Sequence, residues 1–145
     1  MPYESDQYCF ACGANNPIGL HLKFTYGEGT AEAQFTAERV FQGYPGIMHG
    51  GLVSTLLDEA MAHAAIAAHG VAVTGDLHVR MRGNGVPIGR PLRLVGRVTG
   101  RRGRLVLTEA TLHNEEGNLL AQAEGKFMLV PEEVTGGQGD RETGG

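Results

Sequence analysis

Two cysteines in 145 residues, both inside Cys9-Phe10-Ala11-Cys12, are too few for a disulfide framework. The N-terminus carries no apolar run of the kind that heads a secreted chain, and no stretch is apolar enough to span a membrane. The most apolar segment holds Asp58, Glu59 and His63 within it, so it belongs to a soluble core. These absences lead to the expectation of a cytoplasmic protein with no membrane partner. Positive charge is also scarce. Twelve Lys and Arg face sixteen Asp and Glu, a mildly acidic balance that argues against nucleic acid as a partner. What basic charge there is gathers locally: Arg39 and the tail's Arg141 aside, the arginines run from Arg80 to Arg104. Glycine is plentiful instead. Its 23 residues are about twice the usual ~7% share and announce many turns and close backbone approaches. The length is that of one domain with a core of its own.

The longest helical signal runs from about His49 to His69, rich in Ala, Leu, Val, Met and Ile and free of proline. At ~100° per residue, Gly51, Thr55, Asp58, Ala62 and Ala65 fall on one face, and Leu52, Val53, Leu56, Leu57, Ala60 and Ala64 on the other. The second face is a core seam. The first is a groove of small residues with a carboxylate in its middle. Gly50-Gly51 opens the helix, where free N–H groups and the positive dipole end suit an oxygen carrying negative charge. An oxyanion donor and a carboxylate on one rigid element fit acyl transfer to water. A partnered structural Asp and a glycine pair that only turns the chain would give the same pattern.

Around this helix the sequence predicts strands. Leu20, Leu22, Phe24 and Tyr26 alternate with polar residues, turn at Gly27-Glu28-Gly29, and pair with the alternation Ala31, Ala33, Phe35, Ala37. After Gly70, Val73, Gly75, Leu77, Val79 and Met81 are expected on one face of a strand. Strands over 92–99, 104–113 and 119–129 follow, with Gly100-Arg101-Arg102-Gly103 as a turn between the first two. Residues 1–8 are expected to be a flexible N-terminus, 9–130 the domain, and 131–145 a disordered C-terminal tail. The order β-β-α-β-β-β-β makes an α+β fold, with one long central helix wrapped by a curled antiparallel sheet. Cys9 and Cys12 make half of a tetrahedral zinc site, and His21 could offer a third ligand. No fourth is near in sequence, so two small half-buried thiols are expected and no metal.

Three stretches resemble the PaaI-like acyl-CoA thioesterases of the hotdog superfamily, including its THEM group. They are Cys9-Phe-Ala-Cys12-Gly-Ala-Asn-Asn16-Pro17-Ile-Gly19-Leu20; Phe41-Gln42-Gly43-Tyr44-Pro45-Gly46 with His49-Gly50-Gly51 and Asp58; and Val73-Thr74-Gly75-Asp76-Leu77. The resemblance implies hydrolysis of an acyl-CoA thioester to free acid and CoA. It implies that the Gly50 N–H polarises the thioester carbonyl and that Asp58 acts as general base or nucleophile. Thr74 would position the attacking water, and His49 would orient the loop. Gln42 stands near a place where several relatives have Asn, and Gly51 and Thr55 would line the substrate groove. The resemblance further implies a homodimer with shared sites, so that Gly50 and Asp58 of one chain serve different sites; a dimer of dimers is left open. No cofactor is implied. Arg101, Arg102 and Arg104 make a basic turn suited to the phosphates of CoA, or simply a solvated surface. A non-catalytic acyl-CoA-binding protein and a hotdog hydratase or dehydratase are the alternative readings. The acyl group, and the choice between CoA and an acyl-carrier protein, stay open.

Overall fold

A computed structural model describes residues 5–131; residues 1–4 and 132–145, most of the two ends expected to be unstructured, lie outside them. The long helix forms as the composition requires. It is α1, Gly50–Ala68, with His49 as its N-cap and His69 as its C-cap. Six strands wrap it: β1 (Thr25–Gly27), β2 (Thr30–Thr36), β3 (Ala72–Met81), β4 (Pro91–Arg102), β5 (Leu105–His113) and β6 (Leu119–Leu129). They form one antiparallel sheet in the order β1-β2-β4-β5-β6-β3. This is the hotdog fold.

Val53, Leu56, Leu57, Ala60, Met61, Ala64 and Ala65 of α1 are buried against the sheet. Ala65, expected on the open groove face, is fully buried within the core, so burial reaches round to that side of the helix. Leu52, expected in the seam, is only half-buried. Helix and sheet approach most closely at β4, where a Cβ on Gly96 would overlap the Ala60 carbonyl. Glycine there lets the helix backbone lie directly on the strand. Leu92, Leu94, Val106, Leu112 and Phe127 complete the core from the strands. Each such side chain contributes ~1.5–3 kcal/mol through burial.

Two expectations about strands need correction. The first strand spans only Thr25–Gly27. Leu20 and Leu22 are buried as alternation predicts, but His21 between them takes φ 56°, which breaks extended pairing. The second concerns β3. Its register against β6 shifts between Thr74 and Asp76, leaving Gly75 as an extra residue. After this bulge Leu77, Val79 and Met81 stand opposite Gly125, Ala123 and Ala121; before it, Thr74 stands opposite Phe127. Those β6 partners are all buried, and opposed residues share a face. Gly75 therefore reverses the alternation, and Thr74 joins the helix-facing side instead of Val73. A bulge between Val98 and Gly100 acts likewise on β4, and the strand runs through the expected turn to Arg102.

Candidate active site

The helix start is built by the loop before it. Gln42 pairs with Met48 in an isolated bridge, and its side-chain Oε1 accepts the Gly46 N–H at 3.0 Å. The Gln42 amide thus fastens the Tyr44-Pro45-Gly46 turn. His49 closes the N-terminus: its Nδ1 accepts the Gly51 N–H at 3.0 Å. A Cβ on Gly51 would lie 3.2 Å from that imidazole, so the glycine makes room for its own cap. Of the expected pair of donors, one is therefore spent. The Gly50 N–H makes no hydrogen bond among the described residues, as expected for the first turn of a helix. A Cβ at Gly50 would meet only Met81 Cε, at 3.8 Å. Beside it lies an apolar cleft of about 470 Å³ lined by Tyr44, Ile47, Val53, Met81 and Val86, a volume that suits a small organic group.

Asp58 lies eight residues along α1 from Gly50, about 12 Å by helical rise. The Gly75 bulge delivers its partner: Thr74 Oγ1 donates to Asp58 Oδ1 at 2.8 Å. Burial pushes the Asp58 carboxyl above its ordinary pKa, the Thr74 bond opposes this, and the charge of Glu59 adds to it. Raising a carboxyl this way makes it a better proton acceptor. Thr55 does not offer its hydroxyl to the groove. Its Oγ1 donates back to the Gly51 carbonyl at 3.0 Å, a bond within the helix.

The three arginines lie at the other end of the molecule. The β4 bulge turns Arg101 to the helix side, where its guanidinium meets His69 Nδ1 at 3.2 Å and Gly103 O at 2.6 Å. Arg104 donates to the Leu129 carbonyl at 3.2 and 3.1 Å, and Arg102 is exposed. His69 ends the helix that Gly50 begins, so nearly 20 residues, roughly 28 Å, separate this tip from the Gly50 cleft of the same chain.

Sequence reasoning missed the surroundings of Glu59. Its Oε2 meets His63 Nε2 at 3.1 Å and Cys9 Sγ at 3.7 Å. His63 Nδ1 meets the Tyr26 hydroxyl at 2.7 Å, and the imidazole stacks on Phe24 with ring centres 4.3 Å apart. The Glu59/His63 spacing of four residues was a legible signal; the cysteines fifty residues away were not. His21, offered as a third ligand beside the cysteines, instead bonds the Asn16 carbonyl at 2.6 Å.

The fold defines a hotdog protein, and the comparisons with known proteins go one step further. A family model described as the Thioesterase superfamily matches residues 45–121, which include the Gly50 turn, Asp58 and Thr74. The chain belongs to that superfamily. Among solved structures, a thioesterase superfamily protein is similar at 24% identity and a TM-score of 0.79, over 84% of this chain and 63% of that one. This chain therefore spans less than two thirds of that protein. The E. coli PaaI protein from the phenylacetic acid degradation operon is similar at 20% identity and TM-score 0.70, over 77% of this chain and 81% of that one. The smu.793 protein from Streptococcus mutans, solved bound to acetyl CoA, gives 20% and 0.70, over 81% and 96% of the two chains. No curated protein matches the chain. Among the described residues, no helix is long and apolar enough to cross a membrane.

Proposed function

We propose that the protein is an acyl-CoA thioesterase whose sites are assembled between two copies of the chain. The observation that carries this reading is the Thr74–Asp58 hydrogen bond at 2.8 Å, on a carboxylate raised by burial. A water beside such a pair can donate to the carboxylate and to the Thr74 oxygen, whose own proton is held by Asp58. Asp58 takes the proton of that water as its oxygen attacks the thioester carbon. The negative charge that develops on the carbonyl oxygen is met by a Gly50 N–H at the positive end of a helix. Collapse of the tetrahedral intermediate breaks the C–S bond, and the proton from Asp58 goes to the departing sulfur. The acetyl CoA bound to smu.793 supports CoA as the carrier. Direct attack by Asp58 remains the other route.

The separation of Gly50 from Asp58 supports a shared site. One carbonyl cannot touch both along ~12 Å of the same helix. A second copy, turned about a two-fold axis, supplies the missing donor. Strand β3 ends the sheet and exposes Val73, Leu77 and Met81, which supports it as the joining edge.

Mixed dimers test both parts. Gly50→Pro removes the N–H without breaking the helix start, because Gly50 is the first helical residue and His49 before it has φ −57° and ψ 131°. Proline is favoured at that position, and an extended residue suits the place before it. Gly50→Pro and Asp58→Asn homodimers should each release free thiol from a panel of acyl-CoAs ~10²-fold or more slowly than the parent. Their heterodimer should recover about half the parent rate through one intact site. Heterodimers as slow as either homodimer would sink the shared site, and an Asp58→Asn homodimer at the parent rate would sink the chemistry.

A further inference from the structure

We propose that Cys9, Cys12 and Glu59 bind a thiophilic divalent cation, Zn²⁺, which clips the N-terminal loop to the middle of the central helix. The sequence alone argues against this, because half a ligand set is visible and the next candidate, His21, leads away. Folding changes the inventory. One ligand atom each from Cys9, Cys12 and Glu59 lie within 4.8 Å of one another. Zinc–sulfur bonds of ~2.3 Å and zinc–oxygen bonds of ~2.1 Å in a tetrahedron set ligand atoms about 3.6–3.8 Å apart. Cys9 Sγ stands 3.7 Å from Glu59 Oε2, which matches that edge.

The backbone around the cysteines is also arranged for an anionic sulfur. The N–H groups of Ala11 and Cys12 both point at Cys9 Sγ, at 3.3 and 3.4 Å. Gly13 N–H returns to the Cys9 carbonyl at 2.8 Å, and this turn admits no side chain at Gly13. A Cβ there would overlap Cys9 N, Cys9 O and Gln7 O. Two N–H groups aimed at one sulfur can donate to the negative charge that the sulfur carries when it ligates a metal.

The third ligand is held from outside. As an ionised carboxylate Glu59 only accepts, so His63 Nε2 carries the hydrogen between them at 3.1 Å. The other nitrogen meets the Tyr26 hydroxyl at 2.7 Å. Stacking on Phe24 fixes the ring plane. An imidazole pinned at both nitrogens orients the carboxylate as outer partners commonly orient metal ligands. Two thiolates select a soft or borderline cation over Mg²⁺ or Ca²⁺, and the carboxylate favours Zn²⁺ among those. Three protein ligands leave the fourth position to water or another small donor. Binding releases the thiol protons as the two Zn–S bonds form. It fastens the loop of residues 9–20 to the turn of α1 that carries Asp58.

The test measures metal and needs no substrate. The full chain is purified under a non-thiol reductant, stripped with a chelator and titrated with Zn²⁺ against a chromophoric competitor. We expect one equivalent per chain, and with Co²⁺ a sulfur-to-metal charge-transfer band. Glu59→Gln should weaken Zn²⁺ at least tenfold, and His63→Phe should weaken it ~10-fold with stoichiometry kept. The Cys9→Ser, Cys12→Ser double variant should bind none. A reduced parent that binds Zn²⁺ no better than the double variant overturns the site. Glu59→Gln with the parent's affinity overturns it as well, and decides the matter even where the cysteine variant fails to fold.

Discussion

Asp58 and Glu59 are consecutive carboxylates on one helix, and their two neighbourhoods move them in opposite directions. Around Asp58, burial raises the pKa and one hydroxyl, that of Thr74, works against it. Around Glu59, burial works the same way but loses to the hydrogen bonds of His63 and Cys12, the charge of His63 and the hydrogen bond of Cys9. The neighbouring thiol shows the converse. Burial first, then Glu59, then Cys9, hold Cys12 far above its usual range. What sets the direction is the count of donors and not depth, since Glu59 is the more deeply buried of the two and is still the one held low. A carboxylate short of donors holds its charge at a cost and is ready to take a proton; one rich in donors is a fixed anion that gathers cations or protons around it. The helix makes the division by geometry, turning adjacent residues ~100° apart.

The largest expected effect separates the two in turnover. Asp58→Asn should lower kcat by ~10²–10³-fold with little change in KM, since the lost proton acceptor acts in the transition state. Glu59→Gln should cost only a few-fold. Free-thiol release measured on both variants checks this, and equal losses would erase the distinction.

Thr74 sharpens the Asp58 side. Thr74→Val keeps the shape of a β-branched strand residue and removes the one hydroxyl bonded to Oδ1. We expect kcat to fall about tenfold, a 1.4 kcal/mol loss, with Thr74→Ser restoring most of it. Thr74→Val at the parent's kcat would mean that the hydroxyl merely satisfies a half-buried carboxylate. Deleting Gly75 should by contrast leave most of kcat, because Thr74 then follows Asp76 in regular alternation and still stands opposite Phe127 on the helix side.

The extra residue at Gly75 shows where the sequence is readable. The helix from His49 to His69 is legible because composition and the lack of proline act locally, and the observed Gly50–Ala68 agrees. Asp58 on the half-buried side, Gly50 at the helix start and the order of elements are legible for the same reason. Thr74's facing is not. Val73, Gly75, Leu77, Val79 and Met81 make an unbroken alternation on paper, and only the pairing with β6 reveals the extra residue. The short first strand has a similar origin, since the left-handed His21 interrupts a good alternation. Ala65 escapes a two-faced helical wheel because the core reaches round to the side that the wheel leaves open. The Cys9–Glu59 meeting lies wholly outside local reading, since it rests on contacts across fifty residues.

The smallest effect is on stability, and it carries a sign. A carboxyl whose folded pKa is raised binds more protons folded than unfolded between the ordinary and the raised value. Stability therefore falls as pH climbs through that window, and the full penalty of holding Asp58 charged is present above it. Burial is the main cause, so the sign does not depend on the state of Glu59. Asp58→Asn removes the penalty while keeping an oxygen that can accept from Thr74. Its melting temperature should exceed the parent's at neutral pH by a few degrees or less, roughly the response to 1 kcal/mol or below in a domain this size. The difference should shrink as pH drops through the raised pKa and vanish below the ordinary carboxylate range. Glu59→Gln should do the reverse. Its folded pKa is depressed, so its charge stabilises the fold at neutral pH, and the variant should melt lower. That deficit should fade on acidification, as the parent loses the same contribution when pH falls through the ordinary range and the depressed value. Paired melting curves from neutral to acid pH read both differences against the parent. Two deficits of one sign would mean that the neighbourhoods are alike, and that the carboxylates differ only in what they touch.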